Sequence, residues 1–282
     1  LPTKFPAALT DDGALSNNAG SRPRSDRDGS HVLPEKPEHI LILAHPGHEL
    51  RIHHWLELAK PRVYLLTDGS GGRQAARSSY SRDVVEAAGA TPGAVFGDVP
   101  DAVWYKALLA GDSRFFVDML TNIDRDLPGA KDIQIVSDAV DGYNPMHDLA
   151  CAFGSALNRL QGKTNPPRKQ LCSAAVPSVA GTIEMEIKLG EAARDRKMAA
   201  VKAYTPLADE ARQILERDPQ CFDRECLISQ HFDWEKSWTP EWERIGRERV
   251  MQKLYDRCIT YKDNVQPVAL RLMSQNALLT PG

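Results

Sequence analysis

A chain of 282 residues with 42% hydrophobic content is long enough to bury a large core without disulfide support, and one main domain is expected. With 35 Lys and Arg against 38 Asp and Glu, the formal net charge is −3, so the excess of basic side chains that a phosphate backbone demands is absent and nucleic acid is excluded as an expected partner. No run approaches the roughly 18 consecutive apolar residues of a membrane span, and the five cysteines, Cys151, Cys172, Cys221, Cys226 and Cys258, form neither a CxxC pair nor an even set. Reduced thiols and a cytoplasmic setting follow as expectations, although a chain that begins with Leu leaves a removed signal peptide open.

Residues 1–37 are rich in Asp, Ser, Asn, Gly, Arg and Pro and show no period that would bury a face, so they read as a flexible arm. Ile40 to Leu43 is an unbroken apolar run suited to a parallel strand buried on both faces, and it stops at His45-Pro46-Gly47. A helix over Glu49 to Ala59, a second strand over Val63 to Leu66 and a glycine-rich turn over Thr67 to Gly72 follow. Next come a helix over Arg82 to Ala90, a third strand at Val95-Phe96, and two helices within 102–126 broken at Gly111-Asp112-Ser113, with Ser113 expected as the cap. Ile133 to Val136 is the next buried strand, and a polar loop from Asp138 leads into a helix whose first turn holds His147. A further strand lies within Leu171 to Val179. Residues 184–216 are expected to be helical with an interruption near Tyr204-Thr205-Pro206, and 206–282 to form an appended helical lobe in which Trp234, Trp238 and Trp242 make a core stripe. Strands alternating with helices predict a doubly wound, mainly parallel α/β sheet of Rossmann-like type over 38–205, whose ligands bind beyond the carboxyl ends of the strands.

Both the His45 loop and the Asp141–His147 loop leave the predicted sheet at such ends. His45 and His48, three residues apart in a turn, can face one ion, and a third ligand from a distant loop would close the site. Three neutral imidazoles with one open position are what a catalytic zinc needs, because the metal acidifies bound water and polarises a carbonyl. His53 and His54 point about 100° apart on a helix and read as packing or surface residues.

Ala44-His45-Pro46-Gly47-His48-Glu49 resembles the AHPDDE motif of the LmbE/PIG-L family of zinc-dependent de-N-acetylases, and Leu66-Thr67-Asp68-Gly69-Ser70-Gly71 is similar to that family's glycine-rich turn. Asn144-Pro145-Met146-His147 resembles its last ligand segment, and Arg196 to Tyr204 its late K-x-x-A helix, so the similarity runs over about 38–205 in the family's order. The resemblance implies zinc on His45, His48 and His147, and hydrolysis of an N-acyl amino sugar or glycoconjugate. Gly47 stands where the family has its general base and Asn144 where it has an assisting histidine, and general acid–base help is typically worth about 10²–10⁴-fold. Glu49, Asp141 and Asp148 are the neighbouring carboxylates that could replace the base, each with a capping or dipole role as the alternative. Arg51, Asp68, Arg73, Tyr143 and Asn144 are the candidate substrate contacts. A descendant that binds metal and sugar without hydrolysis is the rival expectation; the oligomeric state is left open.

Overall fold

The computed structural model describes residues 37–71, 75–127, 132–161, 168–174, 179–218 and 220–274. All of them fall in one unit, Lys36–Gly282. The arm expected over 1–37, apart from its last residue, and Arg73 lie outside the described residues.

The strands are β1 (Glu38–Leu43), β2 (Arg62–Leu65), β3 (Thr91–Phe96), β4 (Ile133–Asp138), β5 (Leu171–Ser173), β6 (Thr182–Lys188) and β7 (Arg224–Ser229). They form one sheet in the order β3-β2-β1-β4-β5-β7-β6. β1 to β5 are parallel, and β7 and β6 join antiparallel. The helices are α1 (His53–Ala59), α2 (Ser78–Ala87), α3 (Asp101–Ala110), α4 (Ser113–Asp126), α5 (Pro145–Gln161), α6 (Glu191–Ala203), α7 (Ala208–Arg217), α8 (Glu241–Met251) and α9 (Gln266–Met273). None of the described helices is long and apolar enough to cross a membrane.

Alternation along β1 explains why the sheet needs helices on both faces. Ile40 and Ile42 pack in one layer with Trp104 of α3, Phe116 and Leu120 of α4, Leu149 and Phe153 of α5 and Val268 of α9. Leu41 and Leu43 point the other way, among Ile52, Trp55, Leu56 and Val85. A strand with both faces covered must be apolar throughout, which is the character of Ile40 to Leu43. The fold is therefore a doubly wound α/β sheet, and the strand order reverses between β1 and β4, where such sheets open a crevice for ligands.

Three expectations need correction. Residues 182–188 form a strand, not the start of a helix: Ile183, Met185 and Ile187 alternate with Glu184, Glu186 and Lys188, and the helix begins only at Glu191, after Gly190. The C-terminal part is not a wholly helical lobe, because its β7 lies between β5 and β6 and completes the sheet. The cap of α4 is Asp112 rather than Ser113; its carboxylate accepts the Phe115 N–H at 3.2 Å, while Gly111 takes the left-handed conformation that ends α3. The tryptophans do contribute to the core, but only Trp242 does so from a helix. Trp234 and Trp238 lie in the preceding loop against Phe232 and Tyr261.

Candidate metal centre

The chain leaves β1 at Leu43 and turns at once. Gly47 has φ of +103°, a conformation that L side chains rarely adopt, and this lets the backbone double back so that His48 opens a short 3-10 turn over His48–Ile52. On the neighbouring strand, β4 ends in Asp138, which is completely buried. That carboxylate accepts the Ala44 N–H at 2.7 Å and the His48 Nδ1–H at 2.8 Å, and Arg51 reaches it at 3.4 Å. Burial works to raise the Asp138 pKa, but His48 and Arg51 outweigh it and hold the carboxyl well below the usual range.

His45 is held in a different way. Its Nδ1 is 3.0 Å from Thr67 Oγ1, whose hydroxyl donates to the Ala44 carbonyl at 2.9 Å, so Nδ1 carries the proton. Asp101 Oδ1, a buried oxygen with no hydrogen-bond partner among the described residues, stands 3.7 Å from the same nitrogen. His147 sits in the first turn of α5, where its Nδ1–H donates to Asp141 Oδ2 at 2.7 Å. Asp141 is itself fixed, because its other oxygen accepts the Tyr143 N–H at 2.8 Å and the Asn144 N–H at 3.4 Å.

The structure brings the three imidazoles together. Their ring centres are 5.4 Å (His45 to His48), 5.4 Å (His45 to His147) and 4.6 Å (His48 to His147) apart. Zn–N bonds of about 2 Å in tetrahedral directions would set three ring centres about 5 Å apart. Engagement of every Nδ1 fixes the tautomer that leaves Nε2 as the acceptor, the arrangement by which outer partners orient ligating histidines. Burial lowers the pKa of His45 and lowers that of His48 well below the ordinary value, with Arg51 adding to the effect at His48, so both rings favour the neutral, ligating form. Three neutral imidazoles are donors of the type zinc takes, although among the described residues no group of three or more His, Cys, Asp or Glu is placed so that it could hold a metal ion. The Asn144 Nδ2 amide lies 3.2 Å from His45 Nε2, the nitrogen an ion would take, so an ion bound there would release that amide for another acceptor.

The three carboxylates expected to act as bases are turned inward. Glu49 is completely buried and accepts the Gly47 N–H at 2.8 Å and the Ser81 hydroxyl at 2.5 Å; burial raises its pKa. Asp148, also completely buried, accepts the Asp141 and Gly142 N–H groups at 2.9 and 3.1 Å and the Trp242 indole N–H at 2.7 Å. Burial, with the Asp141 charge adding, pushes its pKa up to about 7. Asp141 is committed to His147. All three hold the frame, and none stands open to a ligand.

Of the expected substrate contacts, Arg51 is paired with Asp138, and Asp68 braces its turn by accepting the Ser70 and Asp101 N–H groups. Asn144 caps α5 by accepting the Met146 N–H at 2.9 Å. Tyr143 is 60% exposed with its ring centre 6.3 Å from that of His147, which places it at the mouth. Asp138, Asp101 and Thr67 were not among the residues singled out from sequence. The available signal for Asp138 was a charged residue ending a buried strand. Arg77, also not singled out from sequence, lies against the glycine turn: its Nε is buried with no hydrogen-bond partner among the described residues, and a Cβ at Gly69 would come within 2.8 Å of it.

The late helix contributes from below. Lys197 Nζ of α6 donates to Glu225 at 2.8 Å and to the Arg51 carbonyl at 2.8 Å, and both charged side chains are 1% exposed. Glu225 in turn accepts the His54 and Trp55 N–H groups.

A carboxylate cannot simply be restored at position 47. A Cβ there would lie 2.3 Å from Leu207 Cδ1, and the backbone conformation disfavours any L side chain. Gly47→Asp is expected to destabilise the fold by about 1–3 kcal/mol, mainly through backbone strain at φ of +103°, with Leu207 shifting to make room. A denaturation midpoint equal to that of the unmodified protein would refute this.

No family model matches the chain, and no curated protein matches it. Among solved structures it is similar to a deacetylase triple mutant involved in the teicoplanin biosynthetic pathway, with 13% identity, a TM-score of 0.44, and coverage of 70% of this chain and 100% of that one.

Proposed function

We propose that the chain is a zinc-dependent amide hydrolase of the LmbE/PIG-L type, removing the acyl group from an N-acetyl amino sugar or a related small amide. The observation that carries this reading is the triangle of imidazoles at the β1–β4 switch point, each with its Nδ1 already engaged. Support also comes from placement: the motif at Ala44–Glu49 leaves β1, the turn at Leu66–Gly71 follows β2, and Asn144–His147 opens α5.

When bound to His45, His48 and His147, zinc would polarise the acyl carbonyl and bring the pKa of a water toward about 7. The remaining work falls to the chain. Asp138, Asp141 and Thr67 hold the rings in one tautomer. Asn144, whose oxygen is occupied by the Met146 N–H and the Tyr105 hydroxyl, directs its amide N–H groups toward the centre and would donate to an acyl oxygen. The exposed Tyr143 ring offers an apolar face to a sugar.

A second reading, binding without turnover, is favoured by one observation: Leu207 and the Gly47 backbone fill the place of the family's base. Zinc titration with measured stoichiometry, combined with acetate release from a panel of N-acetyl amino sugars, separates the two. Chelator-sensitive release supports hydrolysis. One tightly bound zinc with no release from any amide supports the binder, and failure to bind zinc removes both.

A further inference from the structure

We propose that Asp148 and Trp242 are positioning residues for His147, so that helix α8, far along the chain, sets the geometry of the metal-binding loop. The inference rests on the zinc-site reading for its functional meaning, but its structural content can be tested without metal.

The path is continuous and buried. The Trp242 indole N–H donates to Asp148 Oδ2 at 2.7 Å. Asp148 Oδ1 accepts the N–H groups of Asp141 and Gly142 at 2.9 and 3.1 Å, gathering the loop that precedes α5. Asp141 then receives the His147 Nδ1–H at 2.7 Å. The backbone closes the same link, because the Trp242 N–H donates to the Gly142 carbonyl at 3.0 Å. Trp238 presses on this turn as well: Gly142 has φ of +66°, and a Cβ there would come 2.9 Å from the Trp238 ring. Asp148 is completely buried, and Trp242 is 8% exposed.

A buried carboxylate is costly unless it is hydrogen-bonded, and here three N–H donors occupy both of its oxygens. Two come from the loop and one from α8. Removing the indole donor leaves one carboxylate oxygen without its α8 anchor, so the carboxylate that gathers the loop is held less firmly, and a smaller aromatic ring at position 242 keeps most of the packing. The side chains of Asp148 and Trp242 bond to none of the three imidazoles; they act on the His147 ring through the Asp141 loop.

The test compares Trp242→Phe, which deletes the N–H and keeps an aromatic ring, with Leu272→Ala, which loosens the core at α9 away from this path. Three readouts are taken: thermal unfolding, zinc affinity by competition with a chromophoric chelator, and the ¹⁵N spectrum of labelled histidines in the metal-free protein. Trp242→Phe is expected to weaken zinc binding by about threefold, less than the about 10–100-fold that follows loss of a group bonded directly to a ligand, and to shift or broaden the His147 Nδ1–H signal. Leu272→Ala is expected to lower the unfolding temperature and leave the zinc affinity and that signal in place. Unchanged zinc affinity and an unchanged His147 signal in Trp242→Phe would overturn the proposal, as would an equal change in both by Leu272→Ala. If the unmodified protein takes up no zinc, the metal reading fails on its own, and the histidine spectrum still decides whether α8 positions His147.

Discussion

Replacing His147 with alanine is expected to yield a protein that folds but no longer retains zinc. The ring is one corner of the imidazole triangle, and with it gone only His45 and His48 remain of the proposed ligands. The loss should far exceed the about 10–100-fold that follows removal of an outer-shell partner. Stability should fall by about 1–3 kcal/mol, since Asp141 loses its ring donor but keeps the N–H groups of Tyr143 and Asn144. Metal content by elemental analysis, with circular dichroism to verify folding, reads both effects. A folded His147→Ala protein that still carries one zinc with unchanged affinity would show that the third ligand is a different residue.

Lys197→Met is expected to have the largest effect on stability, about 3–5 kcal/mol. Lys197 and Glu225 are buried together, so deleting the ammonium leaves an uncompensated carboxylate that is held only by the His54 and Trp55 N–H groups. The Lys197 ammonium also caps the Arg51 carbonyl at the end of the turn that begins with His48, so the metal loop loses a support at the same time. Combining Lys197→Met with Glu225→Gln should cost less than the sum of the single changes, because no charge is then stranded. Chemical denaturation measures this; a cost below about 1 kcal/mol for the single variant would contradict the account.

Much of this was legible from the residues. Ile40 to Leu43 is apolar on both faces because helices cover both, and a chain that leaves such a strand through His45-Pro46-Gly47-His48 shows its chemistry directly. The period of α5 likewise placed His147 in a first turn. What could not be read depended on neighbours distant in sequence. Asp138 supports His48 only because β4 lies beside β1, and Glu49 is turned inward because Ser81 of α2 meets it. Leu207 reaches Gly47 from the segment after α6, a neighbour that nothing in the Ala44–Glu49 motif announces. β6 differs: the alternation of Ile183, Met185 and Ile187 with Glu184, Glu186 and Lys188 is present in the sequence, but apart from the half-buried Ile187 its side chains are exposed, so nothing ties that alternation to the core.

The interleaving of β7 between β5 and β6 determines how the chain can be divided. A fragment ending near residue 205, at the boundary suggested by periodicity, would expose the open side of β5, strand β6 without a neighbour, and deprive Lys197 of Glu225. Native pairing must instead wait for residues made late in synthesis, and such non-local closure slows folding and prolongs exposure of an unpaired edge. A chain from which the sheet can close must therefore include β7 as well as β1 to β6.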